Sequence, residues 1–363
     1  MRIAVYARAL RTKPTGRGML AREMVQALRR VRPDVEIHLF SGEDPGWNGV
    51  SWRPATGSGL AGEAWRSFRG IARDVAGIRP DAIWSATHVL PYGLPAELPT
   101  IVTLLDVVWR DHPETMSARN RYVSAWQERG LHQADRIACI SAFTRSRLAN
   151  HWPELAAKAD VVHLAASHTP AAGVPSPDAR PYVLNVDTLE PRKNLEILAD
   201  AVGQLPGVDF VHCGSVGWGM AAWIDRVQSV PAVSLRGYVP DAELDSLYRG
   251  AIAAVFPSIY EGFHLPPLDA MNAGCPVIAS DIPVHREVLG DAALFVPCND
   301  AGAWADAIRR LKNDGQARAR LAAAGRERAR SFSWDQSARA LLGVIESAMK
   351  TKNAFQNTRR AGL

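Results

Sequence analysis

The sequence has little cysteine and no long apolar run. Its 363 residues include four well-separated cysteines: Cys139, Cys213, Cys275 and Cys298. None shows C-x-x-C or His/Cys ligand spacing, so we interpret them as core thiols rather than as disulfides or metal ligands. No stretch reaches the roughly 20 apolar residues that a membrane-spanning helix needs. The chain enters a strand-like pattern at Arg2 without the apolar region and cleavage site of a secretory signal, which favours a cytoplasmic protein.

The charge of the chain is weakly basic and unevenly placed. The formal net charge is +5, and residues 1–170 hold 22 Lys and Arg against 16 Asp and Glu, whereas the remainder is nearly balanced. A basic surplus favours an anionic partner such as a phosphorylated ligand or an acidic membrane face. Because no zinc-finger or basic-aromatic RNA-binding motif is present, no nucleic acid partner is expected.

Hydrophobic patterning predicts an α/β protein with two domains. The composition, 47% apolar and 22% charged, is that of a globular protein. Short apolar runs alternate with amphipathic segments of helix length, which is typical of parallel sheets covered by helices. Strands are expected at 2–6, 36–40, 82–84, 101–104, 136–140 and 160–163, and then at 182–186, 209–213, 233–235, 252–256 and 276–279. One helix is expected over Met19 to Val31 and another from Arg192. We therefore expect two doubly wound, Rossmann-like domains that face each other across a cleft.

A segment rich in proline and small residues, Ala165 to Pro181, interrupts this alternation. It predicts an N-terminal Rossmann-like domain at 1–170, a linker at 171–181 and a C-terminal Rossmann-like domain at 182–332. A C-terminal helix is expected at 333–349, with packing against the N-terminal domain as one option, and the tail at 350–363 is expected to fray. Ligands of such sheets bind beyond the carboxyl ends of the strands, so the cleft is the expected active site.

Two acids follow the apolar run at 252–256. Glu261 lies in the predicted strand-end loop, and Asp269 lies in the helix expected to begin near Leu265. Two carboxylates so placed can bind hydroxyls on different parts of one extended ligand, while Gly262 allows close backbone approach and free amides at the helix start suit an anion. A sugar nucleotide presents both kinds of group. From spacing alone, two surface acids are the alternative.

Two cations and a glycine-rich loop point to the same kind of ligand. Arg192 and Lys193 are predicted to open a helix, where positive charge opposes the helix dipole. This favours a bound anion such as a departing diphosphate, whose charge both side chains would offset, with a solvated helix start as the alternative. The loop T-G-R-G, with Gly16 and Gly18, either covers a phosphate or forms an ordinary turn.

Several motifs occur in order between Val233 and Asp314: G-Y-V-P-D, L-Y-R-G-A, F-P-S-I-Y-E-G-F-H-L-P-P-L-D-A-M, G-C-P-V-I-A-S and E-V-L-G-D-A-A. They resemble the nucleotide-sugar-binding half of family 4 retaining glycosyltransferases, of group 1 type and GT-B fold. A weaker likeness in T-L-E-P-R-K-N, T-G-R-G-M-L-A-R-E-M and T-L-L-D-V-V-W-R-D-H-P-E extends it over most of the chain.

The resemblance implies an activity. It implies retaining, metal-independent transfer of a hexosyl group, without a cofactor, from a nucleoside diphosphate sugar to a saccharide or lipid-linked saccharide acceptor. Mannose or a related hexose from a GDP-sugar is the first expectation, in the synthesis of a surface polysaccharide such as lipopolysaccharide. UDP- and ADP-hexoses are alternative donors, and a non-catalytic sugar-nucleotide-binding GT-B module is the alternative function. The N-terminal domain would take the acceptor and the C-terminal domain the donor.

The resemblance also implies residue roles. The expected catalytic residues are Glu261, beside the transferred sugar, and Lys193 and Arg192, on the diphosphate. The expected donor-binding residues are Gly16, Gly18, Asp106, Thr188, Gly262, Phe263, His264, Leu265 and, for the ribose, Asp269.

The chain departs from the family pattern in a few places. Asp269 replaces a glutamate, and Leu105 precedes Asp106 where histidine is frequent. Asp187 stands where the strand before T-L-E-P-R-K-N usually ends in glycine, so its carboxylate must point away from a diphosphate or pair with a neighbouring cation. His264 also stands where glycine is common, and an imidazole there would shape the sugar pocket.

The remaining features can also be explained by ordinary structural roles. His264, His88 and His112 can each be structural histidines. In the segment W-R-S-F-R-G-I-A-R, the side chains of Trp65, Phe68 and Ile71 either contact an anionic membrane, as a peripheral enzyme at the inner face would, or pack in the core.

Overall fold

Each part of the chain is built around a parallel β-sheet. The computed structural model describes residues 1–11, 16–57, 65, 69–168 and 180–361. The chain divides into two compact units. Unit 1 comprises Met1–Val107, Val123–Leu164 and Ser333–Leu363, and unit 2 comprises Val108–Tyr122 and Ala165–Phe332.

In unit 1, the described residues form a sheet in the order β3-β2-β1-β4-β5-β6-β7, with all neighbouring strands parallel. The strands are β1 Arg2–Ala7, β2 Glu36–Ser41, β3 Val50–Pro54, β4 Ala82–Ser85, β5 Thr100–Leu104, β6 Arg136–Cys139 and β7 Ala159–Val161. Central strands β4 and β5 are buried along their whole length, as expected where helices cover both faces of a sheet.

In unit 2, the described residues form a second parallel sheet in the order β10-β9-β8-β11-β12-β13. The strands are β8 Tyr182–Val186, β9 Asp209–Cys213, β10 Val233–Leu235, β11 Ala253–Phe256, β12 Val277–Ser280 and β13 Leu294–Val296. In register, Val183 pairs with both Phe210 and Ala253. These side chains join the fully buried Trp304 in the core of the unit.

The helices follow the strands in the alternation that the sequence predicts. The bounds are α1 Gly16–Val31, α2 Ile71–Ile78, α3 Val108–Asp111, α4 Ala118–Gln127, α5 Arg129–Gln133, α6 Ala142–His151, α7 Glu196–Gly203, α8 Ala221–Val227, α9 Asp241–Gly250, α10 Leu265–Asn272, α11 Pro283–Leu289, α12 Ala301–Asn313, α13 Gly315–Arg330 and α14 Trp334–Ala361. Short 3-10 helices cover Pro113–Thr115, Pro153–Lys158, Pro191–Lys193 and Gly290–Ala292.

The strand orders locate the crevice of each sheet. In unit 1 the order reverses between β1 and β4, and in unit 2 it reverses between β8 and β11. Loops that leave adjacent strands at such a point diverge and open a crevice beyond the carboxyl ends of the strands, where ligands of doubly wound folds bind. In unit 2, the loops after β8 and β11 therefore border the expected ligand site.

Two predicted helix starts are wrong. α1 begins at Gly16 rather than at Met19, so the two glycines expected in a loop lie in its first turn. The chain at Arg192 forms a 3-10 turn, and α7 begins only at Glu196. Asn194 separates the two segments because its left-handed φ of 54° cannot continue a helix. The argument that cations oppose a helix dipole there therefore fails.

The unit boundaries also differ from the predicted ones. Val108–Tyr122 lies in unit 2 rather than with residues 1–107. The indole of Trp218 donates a hydrogen bond to the Thr115 carbonyl at 2.9 Å, which ties this segment to unit 2. The linker expected at 171–181 lies outside the described residues up to residue 179.

α14 continues through the tail that was expected to fray, as far as Ala361. It belongs to unit 1, where Asp335 pairs with Arg30 of α1 at 2.8 Å. Near its other end, the ammonium of Lys352 lies 2.9 Å from a carboxylate oxygen of Asp135. This contact, made just before β6, holds the helix against the sheet beyond residue 350.

Of the three apolar side chains considered for membrane contact, the structure shows one exposed and one buried. Trp65 is about half exposed at 49%, but Ile71 is fully buried at the start of α2. Phe68 lies outside the described residues. Ile71 packs with Ile83 in a core cluster of unit 1, so core packing is its role. Among the described residues, no helix has both the length and the apolar character to cross a bilayer.

Candidate functional site

A cluster of buried charged side chains lies beyond β8 and β11 in unit 2, at the point where the strand order reverses. Asp187, Arg192 and Lys193 come from the chain after β8, and Glu261 and His264 come from the loop after β11. The sequence patterns single out all five of these residues. The structure brings them together, although the two loops that supply them are about 70 residues apart. This is where a doubly wound sheet binds ligands.

Lys193 is at the centre of the cluster. It is only 6% exposed, and its ammonium lies 2.5 Å from Asp187 Oδ1 and 2.7 Å from Glu261 Oε1. Arg192 Nη1 lies 2.5 Å from the other Glu261 oxygen, Oε2. Glu261 therefore bridges the two cations, with one oxygen on each. Of the two options that the sequence leaves for Asp187, pairing with a neighbouring cation is the one found.

The backbone fixes the positions of these side chains. The amide of Ile259 donates to the Arg192 carbonyl at 3.0 Å, which joins the two loops. Asn194 Nδ2 donates to the carbonyls of Pro257, at 3.2 Å, and Cys298, at 2.6 Å. Asparagine tolerates the left-handed conformation that this turn requires. The turn that presents Arg192 and Lys193 is therefore held by tertiary contacts rather than by the helix that follows.

Charge pairing decides the protonation states of the cluster. Burial by itself would raise the pKa of the Glu261 carboxyl, but Arg192, His264 and Lys193 outweigh it and hold that pKa well below its usual range. Burial likewise opposes the charged form of Asp187, yet Lys193 and His264 keep its pKa below the ordinary value. Burial would lower the pKa of Lys193, but Asp187 and Glu261 raise it. Asp187, Glu261 and Lys193 are therefore ionised at neutral pH.

His264 occupies a conformation that side chains seldom adopt. It precedes α10 with φ 73° and ψ 84°, in the left-handed region that favours glycine. Its Nε2 lies 2.9 Å from Asp187 Oδ2 and 3.3 Å from the Lys193 ammonium. Its Nδ1 lies 2.8 Å from Nε2 of His285 on α11. The ring is thus a member of the charged cluster and extends it toward the core.

The other residues predicted around Glu261 surround the cluster in different ways. Gly262 and Phe263 are buried, and Phe263 packs edge-to-face on Phe332 at 5.8 Å. Leu265 is the first residue of α10, and Thr188 is half-buried beyond β8. The expected set of free amides at the start of α10 is smaller than predicted, because Pro266 and Pro267 carry no N–H group.

Asp269 makes contacts of a different kind. Its Oδ1 accepts hydrogen bonds from the backbone amides of Ser167, at 2.6 Å, and His168, at 2.9 Å. The side-chain Nδ2 of Asn272, one helical turn later, donates to the His168 carbonyl at 2.9 Å. Asp269 therefore anchors the segment that enters unit 2, a role that the spacing of the two acids does not predict.

The remaining predicted residues belong to unit 1. Gly16 and Gly18 lie in the first turn of α1, which follows β1, and Gly18 is buried. Asp106 is half-buried beyond the end of β5. Both positions follow central strands of the sheet, beyond their carboxyl ends.

Sequence reasoning missed two members of the site. Glu190 is buried and pairs with Arg192, and burial raises the pKa of its carboxyl despite that partner. His285 contacts His264 from α11. An acid two positions before an arginine was a usable signal for Glu190. Nothing local indicates His285, because its partner is 21 positions away and in another element.

The arrangement can bind an anion that also carries hydroxyls. Two cations and an imidazole are in direct contact with buried carboxylates. A diphosphate that takes the place of Glu261 on Arg192 and Lys193 would free carboxylate oxygens to accept hydrogen bonds from hydroxyl groups. Among the described residues, no group of three His, Cys, Asp or Glu side chains has the geometry of a metal site.

Comparisons with known proteins agree with this chemistry. Residues 171–328 match the family model described as glycosyl transferases group 1. The chain is 33% identical over 242 residues to O-antigen chain mannosyltransferase B of Escherichia coli, a match that covers 62% of this chain and 63% of that protein. The chain thus spans under two thirds of the length of this relative.

Solved structures share the fold of the whole chain. Sucrose-phosphate synthase of Thermosynechococcus elongatus superposes with a TM-score of 0.73 at 18% identity, over 100% of both chains. HepE of Anabaena, solved in complex with UDP-glucose, has a TM-score of 0.71 at 16% identity, over 96% of this chain and 100% of its own. The expected GT-B fold class is confirmed.

Proposed function

We propose that this protein transfers a hexosyl group from a nucleoside diphosphate sugar to a saccharide or lipid-linked saccharide acceptor. The match of residues 171–328 to the family model of group 1 glycosyl transferases supports the proposal. Mannose, carried by GDP, is the proposed sugar, and a surface polysaccharide is the proposed product. The similarity to a mannosyltransferase of O-antigen chains supports this choice of sugar and pathway.

The observation that carries the proposal is the pair Arg192 and Lys193, which share Glu261 in a buried cluster beyond the carboxyl ends of β8 and β11. When a glycosidic bond to a diphosphate breaks, negative charge grows on the leaving phosphate oxygen. A fixed ammonium and guanidinium in a site shielded from water stabilise that charge better than solvent does. Glu261, released from the cations by the diphosphate, is then placed to accept hydrogen bonds from the hydroxyls of the transferred sugar.

The remaining contacts extend this binding site. We assign Asp269 to the ribose, in addition to its contacts with Ser167 and His168. The other proposed donor ligands are Gly16, Gly18, Asp106, Thr188, Gly262, Phe263, His264 and Leu265.

We further propose that transfer retains the anomeric configuration and needs no metal. In the proposed complex the oxygens of Glu261 accept hydrogen bonds from hydroxyls of the transferred sugar, so they are not available to the attacking hydroxyl. The departing phosphate oxygen is a better acceptor for the proton of the attacking hydroxyl, which then approaches from the face that the leaving group vacates. Arg192 and Lys193 supply charge compensation of the kind that other sites obtain from a divalent ion.

A peripheral contact with an anionic membrane completes the proposal, because a lipid-linked acceptor lies at a bilayer surface. The support comes from α4, none of whose residues is buried. It exposes Tyr122 at 74% and Trp126 at 48%, beside the basic side chain of Arg121. Interfacial aromatics and basic residues without intervening acids are typical of helices that lie on anionic lipid. Stronger co-sedimentation with anionic than with neutral vesicles, reduced in Trp126→Ala, tests it.

The decisive experiment offers GDP-mannose, UDP-glucose and ADP-glucose with a lipid-linked saccharide acceptor, with and without a metal chelator. We expect one donor to release its nucleoside diphosphate and the product to keep the anomeric configuration of the donor by NMR. Arg192→Gln should lower kcat by roughly 100-fold, whereas Arg309→Gln, at an exposed pair on α12, should not. Binding without turnover would support the non-catalytic module instead, and an inverted product or loss of turnover with chelator would refute the mechanism.

A further inference from the structure

Two departures from the family pattern, Asp187 and His264, contact each other in this structure. They are 77 positions apart, yet Asp187 Oδ2 lies 2.9 Å from His264 Nε2. Both side chains are buried, with exposures of 6% and 1%. A carboxylate without a neutralising partner at this place would repel a diphosphate. The presence or absence of a proton on His264 Nε2 therefore affects whether the site accepts an anion.

The hydrogen bonds behind His264 indicate where the protons are. His285 Nδ1 lies 2.9 Å from the carbonyl oxygen of Ser280, which can only accept, so this nitrogen carries a proton. The Ser280 hydroxyl, 3.2 Å from the same nitrogen, donates to the Ser258 carbonyl and adds an acceptor there. Burial lowers the pKa of His285 to about 3, so its ring is neutral and its Nε2 is an acceptor. His264 Nδ1, 2.8 Å away, must therefore donate to it.

The other nitrogen of His264 faces an acid. With Nδ1 already protonated, a neutral ring would turn a lone pair toward the Asp187 carboxylate, 2.9 Å away. A second proton on Nε2 converts that contact into a charge-assisted hydrogen bond. The groups that face the ring are Asp187, Lys193 at 3.3 Å, Glu261 at 3.8 Å and His285, with the edge of Phe256 beside it. The Asp187 carboxylate is the nearest of them to Nε2 and favours the imidazolium, and Glu261 adds to this effect against the opposing charge of Lys193.

The backbone supports a role for the side chain. A φ of 73° costs conformational free energy for any residue with a Cβ, and glycine would remove that cost. The histidine persists in a strained conformation while its two ring nitrogens contact Asp187 and His285.

We propose that His264 and Asp187 work as one positioning pair, in which a doubly protonated His264 neutralises Asp187 so that Lys193 and Arg192 can bind the diphosphate of the donor. The inference rests on the proposed function for its ligand. With the imidazolium, three cations balance the carboxylates of Asp187, Glu190 and Glu261. Without it the site carries a net negative charge before an anionic donor arrives.

A double-mutant cycle with His264→Gly, Asp187→Gly and the double variant tests the pair. Calorimetry measures the affinity of each protein for the probes GDP and UDP. We expect His264→Gly to weaken nucleoside diphosphate binding by about tenfold or more when Asp187 is present. In the Asp187→Gly background the same change should alter affinity by less than about threefold. Arg309→Gln is the control and should leave affinity unchanged.

A second readout needs no ligand. In protein labelled with ¹⁵N-histidine, we expect two protonated ring nitrogens for His264, identified by their loss in His264→Gly, and one for His285. The coupling should also be visible in urea unfolding, where His264→Gly costs less when Asp187 is absent. If His264→Gly does not fold, His264→Asn, which tolerates a left-handed φ, takes its place.

The outcomes separate this inference from the proposed function. If neither diphosphate and neither intact donor, GDP-mannose or UDP-glucose, binds the unaltered chain, the proposed donor site is wrong, and the nitrogen spectrum and unfolding cycle still decide the pair. Independent effects of the two substitutions, or a bare Nε2 on His264, would overturn the pair even if the donor binds and reacts.

Discussion

Replacing Lys193 by alanine removes the ammonium that Asp187 and Glu261 share. Coulomb's law at an effective dielectric constant of about 20 gives an attraction of roughly 6 kcal/mol for each contact near 2.7 Å. Desolvation offsets much of this, and breaking buried pairs by removing one partner costs about 3–5 kcal/mol. Because Lys193 is buried and its partners would remain ionised without it, we expect a loss of that size in the free energy of unfolding at pH 7.5.

The pH dependence of this loss follows from the carboxyl groups. Lys193 and the other cations hold the pKa values of Asp187 and Glu261 below normal against the effect of burial. The stabilisation is therefore present above the unfolded pKa of each acid and is lost as pH falls through the folded one. In Lys193→Ala the acids take up protons more readily, so the difference from the unaltered chain should shrink between pH 7.5 and 4.5.

Urea unfolding at both pH values, followed by tryptophan fluorescence, measures the effect. Arg309→Ala is the control in the same unit, because it breaks an exposed pair with Asp306 and should cost less than about 1 kcal/mol. A cost for Lys193→Ala no larger than that of the control, or one that does not change with pH, would mean that the carboxylates are solvated. The electrostatic account of the site would then be wrong.

Two further predictions concern the surroundings of the site. A Cβ on Gly214 would lie 1.7 Å from the Asp187 carbonyl oxygen, so Gly214→Ala should cost more than about 3 kcal/mol of unfolding free energy or prevent folding. Gly203 has open space around it, so Gly203→Ala should be tolerated. Thermal unfolding of the two variants compares these effects. Burial lowers the pKa of His285 to about 3 and that of His212 to about 4. Between pH 7.5 and 5.5 these histidines therefore take up protons in the unfolded chain but not in the folded one. Each should remove about 1.4 kcal/mol of the free energy of unfolding over this range. His212→Asn should remove its share of this pH dependence in urea unfolding, and an unchanged dependence would contradict the assignment.

The strands of unit 2 show how much of the fold local pattern determines. The run Tyr182–Val186 matches β8 to the residue and is apolar except for Asn185, whose buried side chain donates a hydrogen bond to the Val255 carbonyl. β3 was missed because Val50–Pro54 alternates polar residues and ends in proline, which suits an edge strand and resembles a loop. β13, at the other edge, is only three residues long. The sequence therefore predicts the buried central strands and also the three-residue edge strand β10, Val233–Leu235, but it does not predict β3 and β13.

Local pattern fails where tertiary contacts decide the backbone. The helix expected from Arg192 begins later because Asn194 turns left-handed and bonds to the carbonyls of Pro257 and Cys298. No window around Arg192 contains either partner. Motif spacing still placed Glu261 beside Arg192 and Lys193, since the ends of adjacent parallel strands must meet, as they do in the structure.

The resting charge balance constrains what the site can bind. Arg192 and Lys193 are already satisfied by carboxylates at 2.5–2.7 Å, so an anion gains little by replacing Glu261 if that carboxylate is then left buried without a partner. A ligand whose hydroxyls donate to Glu261 avoids this cost. The exchange therefore favours an anion joined to a polyhydroxylated group over a bare diphosphate, and a sugar attached through its anomeric carbon brings both to the same place. Specificity for the intact donor thus follows from the ion pairs that the empty site makes with itself.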